Sequence, residues 1–195
     1  MATKSGGGTT THISRKAAEN VFHALRYAEQ QGRALNLHVT INLHRLGFTD
    51  DEADVILRTV KARLVRWWAY QRSRSPDLGP FDGVFARANP DGHTHAHWIV
   101  RVPPALRVAF EVTLRNRLSK VTGRSDLGKA LQIDRANKPR SLAKYILEGV
   151  HPSLGPYFHM STSDEGEVFG RRTGTTRGIG RAARRDAGWR RKGAG

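Results

Sequence analysis

Three histidines alternate along one short segment of the chain. His93, His95 and His97 are separated by Thr94 and Ala96. Successive side chains of a β-strand point to opposite faces, so this spacing places all three imidazoles on one face. Two imidazoles at positions i and i+2 can converge on one cation, and with oxygen ligands they suit Mg, Mn or Zn. The pattern therefore favours a metal or phosphate role for these histidines over a purely surface one.

The elements that would position these histidines follow from hydrophobic periodicity. Strands are predicted at residues 35–43, 83–88, 93–102 and 130–136, and helices at residues 14–31, 49–74, 104–121 and 139–148. Thr49 followed by Glu52 has the spacing of a capping box at the start of the second helix. From residue 35 onward the order is β-α-β-β-α-β, which predicts the α+β class with a ferredoxin-like, split βαββαβ antiparallel sheet. Its two helices would cover one face and leave an open active-site face.

The first and third strands are usually central neighbours in such a sheet. The first strand alternates apolar residues with His38, Thr40 and Asn42. This topology predicts that these three polar side chains lie beside His95 and His97 on the open face.

The charge of the chain indicates a polyanionic partner. There are 33 Lys and Arg residues against 17 Asp and Glu, a formal net charge of +16. Nucleic acid is the commonest partner of so basic a protein. The absence of cysteine excludes disulfides and thiolate metal sites, and no apolar run has the length of a membrane span. We expect a cytoplasmic protein without a membrane partner.

Composition divides the chain into three parts. Residues 1–13 read as a flexible leader, residues 14–150 as the folded domain, and residues 151–195 as a basic region rich in glycine and arginine. This last region either binds DNA phosphates or acts as a solubilising tail, helical in part near residues 181–187. The candidate DNA-binding residues in it are Arg171, Arg172, Arg177, Arg181, Arg184 and Arg185.

Three segments together resemble the HUH endonucleases, in particular rolling-circle replication initiators. Residues 92–103, GHTHAHWIVRVP, resemble the family's His-hydrophobic-His strand. Residues 37–43, LHVTINL, look like its first strand, and residues 141–149, SLAKYILEG, look like its tyrosine helix. The resemblance implies a nuclease that nicks and rejoins single-stranded DNA through a phosphotyrosine intermediate. It also implies a Mg or Mn cofactor, a plasmid or phage origin hairpin as substrate, and a host helicase as partner.

Residue roles follow from the same resemblance. Tyr145 would attack the phosphodiester, with Lys144, Arg140 or the metal supplying positive charge to the phenol. His95 and His97 would hold the metal, with His93, His38 or a water as third ligand.

The tyrosine helix departs from the family pattern in one position and allows a second register. Glu148 stands where many relatives have lysine. The second register places the nucleophile at Ser141, although Gly149 favours Tyr145. Arg140, at the start of this helix, is a further candidate DNA-binding residue.

The same sequence features allow other functions. A mobilisation relaxase or a single-tyrosine transposase uses the same chemistry. A two-histidine phosphoesterase would need a second copy of the His38-Val39-Thr40 element, which His93-Thr94-His95 does not supply. A non-catalytic nucleic-acid-binding module of ferredoxin-like shape normally presents aromatic residues on its sheet, whereas this face carries His, Thr and Asn.

Overall fold

A computed structural model describes residues 8–190 of the chain. Its strands are β1 (Thr9–Thr10), β2 (Leu37–Asn42), β3 (Gly83–Ala88), β4 (His95–Val100), β5 (Leu131–Arg135), β6 (Val168–Phe169) and β7 (Thr173–Thr175). Its helices are α1 (Arg15–Gln30), α2 (Asp50–Arg74), α3 (Arg107–Thr122), α4 (Pro139–Ile146), α5 (Gly155–Phe158) and α6 (Arg181–Asp186). No helix within the described residues combines the length and apolarity needed to cross a membrane.

A five-stranded sheet in the order β5-β2-β4-β3-β7 organises the fold, and all its neighbouring strands are antiparallel. The predicted α+β class is therefore confirmed, as is the pairing of β2 with β4. Thr40 lies opposite His97 and Asn42 opposite His95 in this pairing. The capping box also forms, because the backbone N–H of Thr49 donates to Glu52 Oε2 at 2.9 Å. The strand pairing was predicted from alternation over six residues, and the capping box from the spacing of two residues.

One face of the sheet packs against α2 and α3. Alternate residues of β2 are buried there beside Trp98 of β4. Phe110 of α3 is fully buried and lies near the rings of Trp67 and Phe81. This layer is the larger of the two apolar cores, and it packs the central strands against the long helix α2.

Replacing Phe110 with alanine is expected to lower the free energy of unfolding by about 3–5 kcal/mol, because a cavity replaces a fully buried ring. Urea unfolding of the purified protein measures this change. Val112→Ala on the same helix is the matched control, since Val112 is 52 % exposed. The control is expected to change stability by less than about 0.5 kcal/mol. Equal effects of the two changes would show that α3 does not pack as described.

The second face of the sheet has an apolar area and a polar area. Val84 and Ile99 are buried under α1 and α4, together with Ala143 and Ile146 of α4. Next to them His38, Thr40 and His97 form a polar cluster on the same face. Helix α4 is thereby anchored beside the histidines by its apolar residues.

The C-terminal region contributes to the sheet instead of forming a separate tail. Strand β7 pairs with β3, and β6 pairs with β1 from the N-terminal region. Ile13 is buried, and its N–H donates to the carbonyl of Gly149 at 2.8 Å. Strands of two and three residues are too short to show periodicity, so the sequence did not predict them. The part of the expected leader at residues 1–7 lies outside the described residues.

Asp82 is a buried carboxylate at the start of β3. It lies 3.3 Å from the guanidinium of Arg33, yet neither of its oxygens accepts a hydrogen bond from the described residues. Burial raises its pKa from 3.8 to about 6, and Arg33 and Arg101 limit the rise. The folded chain therefore holds a proton on Asp82 at pH values where the unfolded chain has released it.

Asp82 should accordingly make the protein less stable as the pH rises from about 4 through about 6. The Asp82→Asn variant has no carboxyl that titrates at this position. Relative to the variant, the free energy of unfolding of the wild type is expected to fall by up to roughly 3 kcal/mol as the pH rises across that range. Urea titrations of both proteins at the two ends of the range measure it. Parallel pH curves would contradict a raised pKa.

Candidate active site

The pairing of β2 with β4 brings His38 and His97 together. His38 Nε2 lies 3.1 Å from His97 Nδ1, and Thr40 Oγ1 lies 3.2 Å from the same nitrogen. The His97 ring centroid is also 5.0 Å from that of His95. When His97 Nδ1–H donates to Thr40 or His38, the lone pair of its Nε2 is left free for a cation. Contacts of this kind fix the orientation of a metal-binding imidazole.

Burial keeps His97 neutral. Its exposed fraction is 8 %, and its pKa is lowered to about 3, chiefly by burial and secondarily by the charges of His95 and His38. Burial also lowers the pKa of His38. A neutral imidazole is the form that coordinates a metal ion, so His97 is in the required form at neutral pH without losing a proton.

The tautomer of His95 follows from its hydrogen bond. His95 Nδ1 lies 2.9 Å from the backbone carbonyl oxygen of His93. A carbonyl oxygen only accepts, so Nδ1 carries a proton, and in the neutral ring the lone pair of Nε2 is then the free one. The side chain of His93 lies elsewhere. It precedes β4, and its ring centroid is 4.2 Å from that of His44.

Tyr145 is placed next to the histidines by α4. Its ring centroid lies 5.4 Å from that of His97, with the rings edge to face, and the side chain is 52 % exposed. Its neighbours Ala143 and Ile146 point into the core. The helix therefore directs its apolar residues inward and its tyrosine toward the imidazoles.

A cavity of about 230 Å³ connects these side chains. His95, His97 and Tyr145 line it together with Glu148 and Glu165. Burial raises the pKa of Glu148, and the charge of Glu165 adds to the rise. The cavity thus holds a phenol, two imidazoles and two carboxylates.

No protein-family model, curated protein or solved structure matches this chain. Phenol, imidazole and carboxylate in one cavity are the groups needed for covalent and acid–base chemistry on a phosphate ester.

The donor set of the cavity suits a divalent cation. His95 and His97 supply nitrogen donors, and Glu148 and Glu165 supply oxygen donors, the combination that Mn and related ions bind. Within residues 8–190, however, no three His, Asp or Glu side chains are already grouped closely enough to hold a metal. A divalent cation would therefore be held mainly by the two imidazoles. The two carboxylates lie in the same cavity as further donors.

Two other predicted residues of the tyrosine helix point away from the cavity. Lys144 Nζ donates to the carbonyl of His159 at 2.8 Å, and the guanidinium of Arg140 pairs with Glu29. Neither residue lines the cavity. Lys144 was expected to activate the phenol of Tyr145, but its ammonium group is bound to the carbonyl of His159 outside the cavity.

The arginines of the C-terminal region separate into three sets. Arg172 and Arg184 are buried, and their guanidinium groups donate to backbone carbonyls, so they stabilise the fold and are not available to DNA phosphates. Exposed Arg181 and Arg185 lie beside Trp189 at the end of α6, whereas exposed Arg171 and Arg177 line a groove next to α2.

Glu165 was not anticipated by the sequence analysis. It lies in a segment without helix or strand, and the folding of that segment carries it to Gly149. A Cβ added at Gly149 would lie 3.1 Å from the Glu165 side chain, so glycine permits this approach. In the sequence, Gly149 indicated a position where another segment can approach closely, but a glycine does not show which residue approaches it.

Proposed function

We propose that this protein is a metal-dependent, HUH-type endonuclease that nicks and rejoins single-stranded DNA. The observation that supports this proposal most directly is the position of Tyr145, whose ring lies 5.4 Å from that of His97 in the shared cavity. The resemblance of the three sequence segments to replication initiators suggests the biological role. In that role the protein would initiate rolling-circle replication of a plasmid or phage in the cytoplasm.

The proposed reaction is an exchange at phosphorus. The phenol oxygen of Tyr145 forms a bond to the scissile phosphorus, and the bond from phosphorus to the 3′ oxygen breaks. The departing 3′ oxygen takes up one proton from water, so the products are a 5′-phosphotyrosine and a free 3′-hydroxyl. Glu148 is the candidate acceptor for the phenol proton, because it lines the same cavity and burial raises its pKa. The reverse steps rejoin the strand with no other energy source.

His95 and His97 would hold the Mg or Mn ion. When bound there, the ion would polarise the scissile phosphate and offset its developing negative charge. The chain's own contribution is to keep His97 neutral by burial and to orient both imidazoles. Thr40 and His38 orient His97, and the carbonyl of His93 orients His95.

Incubation with a library of single-stranded oligonucleotides tests the proposal. The wild-type protein with Mn or Mg is expected to form a covalent protein–DNA adduct that survives denaturing electrophoresis. Chelation of the metal with EDTA is expected to abolish the adduct. Sequencing of the captured strands would then identify the preferred nick site. Binding of the oligonucleotides without any adduct would instead indicate a non-catalytic nucleic-acid-binding module.

A further inference from the structure

A basic surface lies on the opposite side of the sheet from the histidines. It is a groove of about 790 Å³ between α2 and the segment from β7 to Gly178. Phe85 and Trp98 point to this side of the sheet, whereas their neighbours Ala86 and His97 point to the other. The groove is therefore separate from the candidate active site.

Among residues 8–190, six basic side chains and no carboxylate line the groove. We call it the α2 groove, and its basic residues are Arg58, Lys61, Arg66, Arg72, Arg171 and Arg177. Arg58 pairs with Asp54 at 2.8 Å. None of the other five forms a salt bridge with an acidic group among residues 8–190. The α2 groove thus presents positive charge that the described part of the fold leaves uncompensated.

Helix geometry aligns these cations. Arg58, Lys61, Val65, Ala69 and Arg72 recur every three or four residues, so they share one stripe of α2. The stripe rises about 21 Å from Arg58 to Arg72, which is long enough to meet several successive phosphates. Small residues between the cations leave space for a backbone to approach.

Lys61 and Arg171 are held close together at one end of the α2 groove. The Lys61 ammonium lies 4.8 Å from the centroid of the Phe85 ring, and the Arg171 guanidinium lies 6.0 Å from it. Burial, and then the charge of Arg171, lower the pKa of Lys61. A Cβ at Gly174 would come within 2.9 Å of the Arg171 guanidinium carbon, so glycine leaves room for that cation. An anion bound between the two cations would relieve their repulsion.

The α2 groove suits a duplex better than a single strand. Single-strand sites present aromatic rings on which bases stack. Here Trp68 and Phe81 are only 2 % and 9 % exposed, and Phe85 is covered by the two cations. Phosphate contacts without stacking are the mode by which proteins hold double-stranded DNA irrespective of sequence.

We propose that the α2 groove binds the phosphate backbone of duplex DNA. This inference extends the proposed nuclease function, because the duplex would flank the single strand that enters the histidine cavity. Strand β7 is an edge strand of the sheet, and the segment that follows it lines the α2 groove.

Neutralisation of three groove arginines tests the inference. The triple variant Arg66→Gln, Arg72→Gln, Arg177→Gln is compared with a control that loses the same charge on α3 and the loop after it, Arg115→Gln, Lys120→Gln, Arg124→Gln. A labelled 20-base-pair duplex of random sequence is titrated at several salt concentrations. The groove variant is expected to bind more than about tenfold more weakly, and its salt dependence to fall by about 2.7 in log–log slope, while the control stays near wild type.

Several outcomes would overturn the inference. Equal losses in the two triple variants would show an effect of net charge alone, and unchanged duplex binding by the groove variant would show that the α2 groove holds no DNA. Loss of single-strand binding alone would assign the groove to a single strand.

Adduct formation on a short single-stranded oligonucleotide is expected to persist in the groove variant. If the wild type forms no adduct yet the groove variant alone loses duplex binding, the nuclease proposal fails and the groove stands.

Discussion

Replacing Tyr145 with phenylalanine is expected to abolish the covalent protein–DNA adduct. The substitution removes only the phenol oxygen that would bond to phosphorus, and it leaves the aromatic contact with His97 in place. Loss of a covalent nucleophile lowers turnover by at least about a thousandfold. The measurement is the rate of adduct formation with a cleavable oligonucleotide at saturating Mn. The affinity for the uncleaved oligonucleotide should stay within about threefold of wild type, because Tyr145 is not a cationic residue.

Tyr70→Phe provides the matched control for this experiment. Tyr70 is 57 % exposed on α2 and remote from the cavity, so its variant should form the adduct at the wild-type rate. If Tyr145→Phe still forms the adduct, Tyr145 is not the nucleophile. Mapping of the modified peptide would then decide between Ser141 and Tyr157. Ser141 is the nucleophile of the second register. Tyr157 is an exposed tyrosine whose hydroxyl accepts from Arg15 and donates to Glu19 on α1.

The second large effect is expected from His95. His95→Ala removes an imidazole whose free Nε2 is fixed by the bond from Nδ1–H to the carbonyl of His93. We expect adduct formation to fall more than about a hundredfold, because a metal centre that stabilises the transition state loses a ligand. Calorimetric titration with Mn should show a parallel loss of metal affinity. Retained Mn affinity together with lost activity would make His95 a proton carrier instead.

His93→Ala separates the role of the backbone from that of the side chain. The His93 ring lies against His44, and its carbonyl, which orients His95, is unchanged by the substitution. The variant should therefore keep activity within about threefold of wild type. A loss as large as that of His95→Ala would restore His93 as the third metal ligand that its sequence spacing suggested.

The sequence predicted most of the framework because its long elements have clear periods. The alternation in β2 and the capping box before α2 are local signals, and local signals survive folding. The proximity of His38, Thr40 and His97 required only one further assumption, that the first and third strands are neighbours. The sequence indicated that Leu142, Ile146 and Leu147 anchor α4 and leave residue 145 free to face the cleft, and these three residues do pack in the apolar core.

The remaining features depend on long-range contacts that no short pattern records. Glu165 enters the cavity because the segment after α5 folds back over Gly149. Arg172 looks like a DNA-binding residue in a basic segment, but it is buried and donates to the carbonyls of Glu165 and Gly166. Charge alone does not distinguish an arginine that binds a ligand from one that satisfies backbone carbonyls.

The pairing of β7 with β3 links a late part of the chain to its middle, and this has a consequence for biosynthesis. Strand β3 leaves the ribosome long before β7 does. In the interval its outer edge presents unpaired N–H and C=O groups, which other chains can join. The protein is thus most prone to misassembly while it is nascent. A fragment that stops soon after α4 would retain this vulnerability permanently, even though it contains both histidines and the tyrosine.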